Sequence, residues 1–229
     1  MKKNITPEIW QYCMQYGNPK PAQILELITE QNKLLPNGHM QTGVDQAFFM
    51  GFFAKIIQAN SYLEIGIFTG YSLINMATYL PQTAKITALE LEEKHIKIVQ
   101  DNIMLANKIQ ALDNTQPMIT QNIEYIVGDA NITLPQLIQA NRKYDLIFID
   151  ANKSTYLNYY TYAKQLLTPN GVLLIDNVFK GFNDINQEKV PTFVEKVHEM
   201  NLAILHDQEV ESCMLLISDG LTMVRLKNV

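Results

Sequence analysis

Leu63-Glu64-Ile65-Gly66-Ile67-Phe68-Thr69-Gly70-Tyr71-Ser72 is the stretch on which the fold turns. An apolar run enters a turn punctuated by two glycines, and a helix-like segment follows from Ser72 to Leu80. In a strand-turn-helix unit, glycines let the backbone approach a ligand at the carboxyl edge of a parallel sheet. The dinucleotide fingerprint Gly-x-Gly-x-x-Gly is absent, because Glu64 stands two positions before Gly66. A carboxylate there repels a pyrophosphate and suits a cationic ligand. S-adenosylmethionine, a nucleotide-like metabolite with an ammonium and a sulfonium, meets that demand. Taken alone, Gly-x-x-x-Gly fits a tight turn as well as a ligand site.

Downstream, short apolar runs alternate with amphipathic segments. Strands are expected at Tyr62–Ile67, Lys85–Leu89, Ile123–Val127, Tyr144–Ile149 and Val172–Ile175, with helices near 72–80, 92–108, 132–140 and 155–167. Such alternation implies an α/β fold, a parallel sheet covered on both faces. The tail differs: Glu211–Ser218 and Leu221–Leu226 flank Asp219-Gly220, the signature of an antiparallel hairpin closing one sheet edge. Residues 110–121 are polar, contain Pro117 and read as an exposed connection. Upstream, residues to about 60 read as helical, broken by Pro7, Pro19, Pro21 and Pro36. Ile24, Leu25, Leu27 and Ile28, and then Phe48, Phe49, Phe52, Phe53, Ile56 and Ile57, recur at helical spacing and are expected in the core.

The chain has 229 residues and reads as one domain, 1–229, with an N-terminal helical lid at 1–60 and an α/β core at 61–229. A hydrophobic fraction of 47% suffices for a full core, and a net charge of -5 gives no electrostatic support for a nucleic-acid partner. Cys13 and Cys213 match neither a disulfide framework nor zinc-ligand spacing, and His39, His95, His198 and His206 form no close pair. No run approaches the roughly 18 to 20 apolar residues that span a bilayer. The reading is a soluble, cytoplasmic chain with no membrane partner.

In an open α/β sheet, ligands bind outside the carboxyl ends of the strands. Here nearly every such end carries an acid: Glu64, Glu90, Asp129, Asp150 and Asp176-Asn177. Any one of them suits a turn or cap, but their convergence on one edge points to a site. Glu90 can accept hydrogen bonds from both hydroxyls of a ribose, or serve as a helix N-terminal carboxylate. Asp150, Asp176 and Asn177 are hard oxygen donors suited to Mg²⁺; the latter two also fit a polar turn. Lys153 follows Asp150 closely enough to aim its amine at the same point, as a general base or as an ordinary exposed lysine.

These segments together resemble the cation-dependent small-molecule O-methyltransferases, the family of caffeoyl-CoA and catechol O-methyltransferases. The resemblance runs from about Met40 to Arg225 and is carried by Leu63–Ser72, Phe148-Ile149-Asp150-Ala151-Asn152-Lys153, Asp176-Asn177 and Asp219-Gly220-Leu221-Thr222. It implies a Rossmann-like class I methyltransferase fold, a seven-stranded sheet with a reversed last strand, and a homodimer. It further implies that Glu64, Gly66, Ile67 and Ser72 hold the methionine part of S-adenosylmethionine with Thr42 closing over it, that Glu90 binds the ribose, that Asp129 and Ala130 border the adenine, and that Asp150 and Asn152 also contact the cofactor. Asp150, Asp176 and Asn177 would chelate a divalent cation, Mg²⁺ or else Ca²⁺ or Mn²⁺, and Lys153 would be the base. Asn152 stands where the family usually has Asp, so a charge near the cofactor is lost. Val178-Phe179-Lys180-Gly181 replaces the plant enzymes' substrate wall, so the plant acceptor does not transfer.

The expected reaction is methyl transfer to a hydroxyl of a small catechol-like or phenolic acceptor. Rival readings are a non-catalytic cofactor-binding module and a metal-independent methyltransferase for another acceptor class. The joint presence of Asp150, Lys153, Asp176 and Asn177 argues against the module.

Overall fold

The computed structural model describes residues 6–17, 22–113, 118–184 and 189–227. Pro19, Pro21 and residues 114–117 of the expected connection lie outside the described residues. Helices α1 (Pro7–Gly17), α2 (Gln23–Asn32) and α3 (Val44–Ile56) precede the sheet. Then β1 (Ser61–Ile65), α4 (Tyr71–Tyr79), β2 (Lys85–Glu90), α5 (Glu93–Asp113), β3 (Ile123–Val127), α6 (Ala130–Gln139), β4 (Tyr144–Ile149), α7 (Tyr156–Leu166) and β5 (Leu167–Asp176) alternate. Helix α8 (Thr192–His206) and the hairpin β6 (Val210–Leu215) and β7 (Leu221–Leu226) complete the fold.

One sheet carries seven strands in the order β3-β2-β1-β4-β5-β7-β6. β1 to β5 pair in parallel, and β7 runs antiparallel to both β5 and β6. This is the expected Rossmann-like α/β sheet with its antiparallel hairpin. Alternation along the strands feeds two apolar layers. Tyr62, Leu146, Phe148 and Leu174 pack on α2, α3 and α4, while Leu63, Ile65, Ile147 and Ile149 pack on α6, α7 and α8. Strands buried on both faces explain why their sequences read as nearly continuous apolar runs.

Four expectations need correction. β5 begins at Leu167, because Thr168-Pro169-Asn170-Gly171 stays extended through a register shift against β4. α5 continues to Asp113, and beyond it Ile119 and Gln121 are buried, the Gln121 amide donating to the Ala77 carbonyl at 2.8 Å. The stretch 110–121 is therefore not wholly an exposed connection. Helix α8 was not anticipated, although Val194, Val197, Met200 and Ile204 give it a buried stripe. On the apolar faces read as core, Phe52 and Ile56 are instead exposed, and Leu27 is partly so; their helices carry more apolar residues than one face can bury.

The order reverses between β2-β1 and β4-β5, which opens a crevice at the carboxyl ends. Backbone bonds run past those ends: Gly66 N–H to Leu89 O (2.9 Å), Gly128 N–H to Glu90 O (2.9 Å) and Asp150 N–H to Ile65 O (3.0 Å). The loops bearing the acidic residues are thereby fixed to the sheet.

Candidate active site

Two cavities open along this crevice. The first, about 270 Å³, is lined by Thr42, Gly66, Ile67, Ser72, Asp150, Lys153, Asp176 and Asn177, with His39, Lys180, Ser218 and Asp219 also on its walls. The second, about 370 Å³, is lined by Phe68, Leu89, Glu90, His95, Asp129, Ala130, Asn152 and Tyr159. Met40, Gly66, Phe68, Asp150 and Ala151 belong to both, so one elongated ligand can occupy the pair.

The turn after β1 is shaped by tight approach. Gly66 has φ +87°, and a Cβ there would lie 2.3 Å from the Asp150 carbonyl oxygen. Gly70, at φ +86°, caps α4 and would press a Cβ on the Val99 methyls. The buried Glu90 carboxylate holds the turn from beneath. Its Oε2 accepts from Ile67 N–H and Phe68 N–H, both at 3.1 Å, and its Oε1 accepts from Glu92 N–H at 3.0 Å. Glu90 thus lines the second cavity and also receives a backbone donor just ahead of α5, as its reading as a helix N-terminal carboxylate expects.

Glu64 lines neither cavity. It is fully buried one layer behind Ser72, which donates its hydroxyl to Oε1 (2.5 Å), while Tyr62 donates to Oε2 (2.7 Å). Burial pushes its carboxyl up to about 8, with the Asp150 and Glu90 charges adding to the rise and the two hydroxyls opposing it. Across the second cavity, Phe68 meets His95 edge-on with ring centroids 5.3 Å apart. Asp129 caps α6 by accepting from Asn131 N–H at 2.8 Å, which sets Ala130 against the cavity. Asn152 caps the single turn Lys153–Thr155, accepting from Ser154 N–H at 3.1 Å, a task that needs no charge.

At the far end of the first cavity, Asp150 closes β4 and Asp176 closes β5. Lys153 Nζ donates to Asp150 Oδ1 (2.9 Å) and to Ala151 O (3.3 Å) and lies over the Tyr156 ring at 5.5 Å. Asp176 is buried, and its carboxyl is pushed up to about 8 by burial first and by Asp150 next. Asn177, at φ +56°, directs its amide nitrogen to Asp219 Oδ2 (3.4 Å). Among the described residues no three His, Cys, Asp or Glu side chains converge as a metal site, so the expected donor set depends on the Asn177 amide oxygen.

The segment before the sheet divides. α2 and α3 belong to the core, through Ile24, Leu25, Ile28, Ala47 and Met50. Among the described residues of that segment, only the stretch around His39–Gly43 lines the first cavity, hooked to α2 by Asn32 Nδ2–H to Gln41 Oε1 (2.7 Å) and Gln41 Nε2–H to Thr29 Oγ1 (3.1 Å). At the rim, Ser218 donates to Asp45 (2.9 Å), which also accepts from the Trp10 indole (3.2 Å).

Residues 17–227 match the O-methyltransferase family over almost the whole chain. The chain belongs to the O-methyltransferase family. Caffeoyl-CoA O-methyltransferase 1 of Nicotiana tabacum is 30% identical over 230 residues, 95% of this chain and 90% of that protein. The Zinnia elegans caffeoyl-CoA O-methyltransferase is also 30% identical, over 95% of this chain and 88% of its own. Among solved structures, the Bacillus cereus O-methyltransferase in complex with SAH superposes with a TM-score of 0.78 at 27% identity, covering 95% of this chain and 96% of that one. A Podospora anserina methyltransferase shares the fold, with a TM-score of 0.80 at 24% identity over 99% of this chain and 100% of that one.

This O-methyltransferase brings together all the residues that the sequence singled out except Glu64, which stands one shell back from the cavities. Sequence reasoning missed Phe68, His95 and Tyr159 as walls, and Gln46 and Tyr156 behind the two aspartates. Phe68 sat inside the motif; the others lie on helices, where periodicity reports burial and not proximity to a loop.

Proposed function

We propose that this O-methyltransferase transfers a methyl group from S-adenosylmethionine to a hydroxyl of a small catechol-like acceptor held at a divalent-cation site made by Asp150, Asp176 and Asn177. One observation carries the reading. Two partly or fully buried carboxylates and an amide sit at the end of a cavity continuous with the cofactor turn, with a lysine 2.9 Å from one of them.

The donor set fits a cation. Two neighbouring carboxylates resist joint burial, as the rise of Asp176 to about 8 records, and a cation offsets that cost. When bound, the cofactor supplies an electrophilic methyl and a divalent cation makes an acceptor hydroxyl more acidic. The chain's own residues do the rest. The Gly66 turn and Ser72 receive the methionine part, and Glu90 offers the remaining acceptor site on Oε1 to a ribose hydroxyl. Phe68, His95, Asp129 and Ala130 bound the adenine. Lys153 takes the acceptor proton, and the neighbouring Asp150 and Ala151 carbonyl fix where its amine stands. Thr42 and Met40 restrict water above the reacting atoms, and placement supplies much of the acceleration.

The caffeoyl-CoA relatives support a hydroxylated aromatic acceptor. A homodimer belongs to the same reading, since α1 buries none of its side chains and exposes Ile9, Trp10, Tyr12 and Tyr16; light scattering tests it. A cytoplasmic setting accords with two free, exposed cysteines. The deciding experiment is methylation of a catechol with and without EDTA. Turnover that stops on chelation, and is lost in Asp150→Ala and Asp176→Ala while cofactor affinity persists, is expected; chelator-insensitive turnover refutes the cation site.

A further inference from the structure

Two polar side chains approach the aspartate pair from opposite faces of the sheet, and neither has a hydrogen-bond partner. Gln46 of α3 is fully buried, and both its Oε1 and its Nε2 are unpaired. It faces Asp176 closely enough to offset part of the effect of burial on that carboxyl, yet falls short of a formed hydrogen bond. Tyr156, at the start of α7, is also fully buried beneath Lys153, whose amine lies 5.5 Å from its ring; its hydroxyl has the Ala151 backbone nearby but makes no full hydrogen bond, and Asp150 and Asp176 are the carboxylates nearest it.

An unpaired polar atom in the interior forfeits its hydration without return. Methionine at 46 and phenylalanine at 156 would fill much the same space free of that penalty. Gln46 stands beside Asp176, and Tyr156 stands near both carboxylates, on each of which one oxygen is already engaged. Asp176 Oδ1 accepts from Asn177 N–H at 2.6 Å, and Asp150 Oδ1 accepts from Lys153 at 2.9 Å. A carboxylate has about four lone-pair sites, so each retains acceptor capacity.

Building on the cation-site reading, we propose that Gln46 and Tyr156 are positioning residues that brace Asp176 and Asp150, donating to the carboxylate oxygens that a bound cation leaves free. Their N–H and O–H groups set the angle of each carboxylate. They thereby favour a cation that demands strict octahedral geometry over one that tolerates irregular ligation. Mg²⁺ is the first kind and Ca²⁺ the second.

The test is calorimetric titration of the full chain with MgCl₂ and with CaCl₂, for the native protein, Gln46→Met, Tyr156→Phe and Asp176→Asn. Gln46→Met and Tyr156→Phe should each weaken Mg²⁺ binding about tenfold, the lower end of the effect of removing a group that orients a metal ligand. Ca²⁺ binding should change much less, and S-adenosylmethionine affinity and the metal-free melting temperature should hold or rise. Gln46→Leu repeats the measurement with a second packing. Unchanged Mg²⁺ affinity in these variants overturns the proposal, as does a parallel loss of both cations with a lowered melting temperature, which marks a merely structural role. If the native chain binds neither cation, the cation-site reading itself fails. If the native chain binds and Asp176→Asn does not, while Gln46→Met and Tyr156→Phe bind as native, the bracing alone is refuted.

Discussion

Replacing Gly66 with alanine isolates what the cofactor turn requires, because Gly70 supplies a matched control. The two glycines have φ of +87° and +86°, so an alanine at either carries the same left-handed strain. That strain is roughly 1–2 kcal/mol. They differ in what the new methyl meets. At Gly70 it meets the Val99 side chain, 2.7 Å from Cγ2, and a rotamer change relieves much of the contact. At Gly66 it meets the Asp150 carbonyl oxygen at 2.3 Å, and the backbone there is tied to β1 by the Asp150 N–H to Ile65 bond of 3.0 Å. Relief means moving the β4 exit and giving up a bond of about 1 kcal/mol net, in addition to the strain. Gly70→Ala should therefore lose about 2 kcal/mol and Gly66→Ala about 4 kcal/mol in urea denaturation, with strain, overpacking and the lost bond together. Gly66 and Asp150 wall both cavities, whereas Gly70 lines neither. Calorimetry with S-adenosylhomocysteine should accordingly show a large loss of affinity for Gly66→Ala and a small one for Gly70→Ala. Equal denaturation midpoints, or native affinity in Gly66→Ala, would refute the account of the turn.

Glu90→Ala leaves the amides of Ile67, Phe68 and Glu92 without their acceptor, so it should lower both the melting temperature and cofactor affinity, the latter by about 1–3 kcal/mol. Unaltered affinity by calorimetry would remove Glu90 from the ribose site. Lys153→Met should reduce kcat about 10²- to 10⁴-fold with cofactor Kd nearly constant, as stopped-assay kinetics with a catechol will show. Glu64 gives a pH signature. With its carboxyl raised from 4.5 to about 8 in the folded chain, folding takes up a proton between those values. Stability should thus fall as pH rises from 4.5 toward 8, and Glu64→Gln should make the slope shallower in melting scans, leaving the part contributed by the likewise raised Asp176. An equally steep slope in Glu64→Gln would assign it to other groups.

The central strands were legible because burial on both faces writes them as nearly continuous apolar runs, and the outer ones because short β-branched and aromatic runs stand between turn signals. Ile123–Val127, Tyr144–Ile149 and Leu221–Leu226 stand at the bounds expected of them. β5 was truncated in the reading because Pro169, Asn170 and Gly171 look like turn chemistry, whereas they occupy its irregular first half beside the β4 register shift. In the site, residues at strand ends could be placed because topology brings those ends together. Gln46 and Tyr156 could not, since a buried polar side chain on a helix reveals its neighbour only in three dimensions. Glu64 was read as a ligand contact, but a strand residue whose side chain points into a helical layer meets Tyr62 and Ser72 first.

The buried Glu90 carboxylate has a thermodynamic consequence beyond its geometry. It pins the Ile67 and Phe68 amides, while Gly70 N–H closes on Ile67 O at 2.8 Å and Gly66 N–H on Leu89 O at 2.9 Å. The chain's own groups therefore supply the bonds that order the turn. Ordering a residue's backbone costs about 1–2 kcal/mol of conformational entropy, and across residues 66 to 70 that cost falls on folding instead of binding. A ligand entering here meets a finished mould, so contact free energy converts to affinity with little subtracted for immobilising the loop.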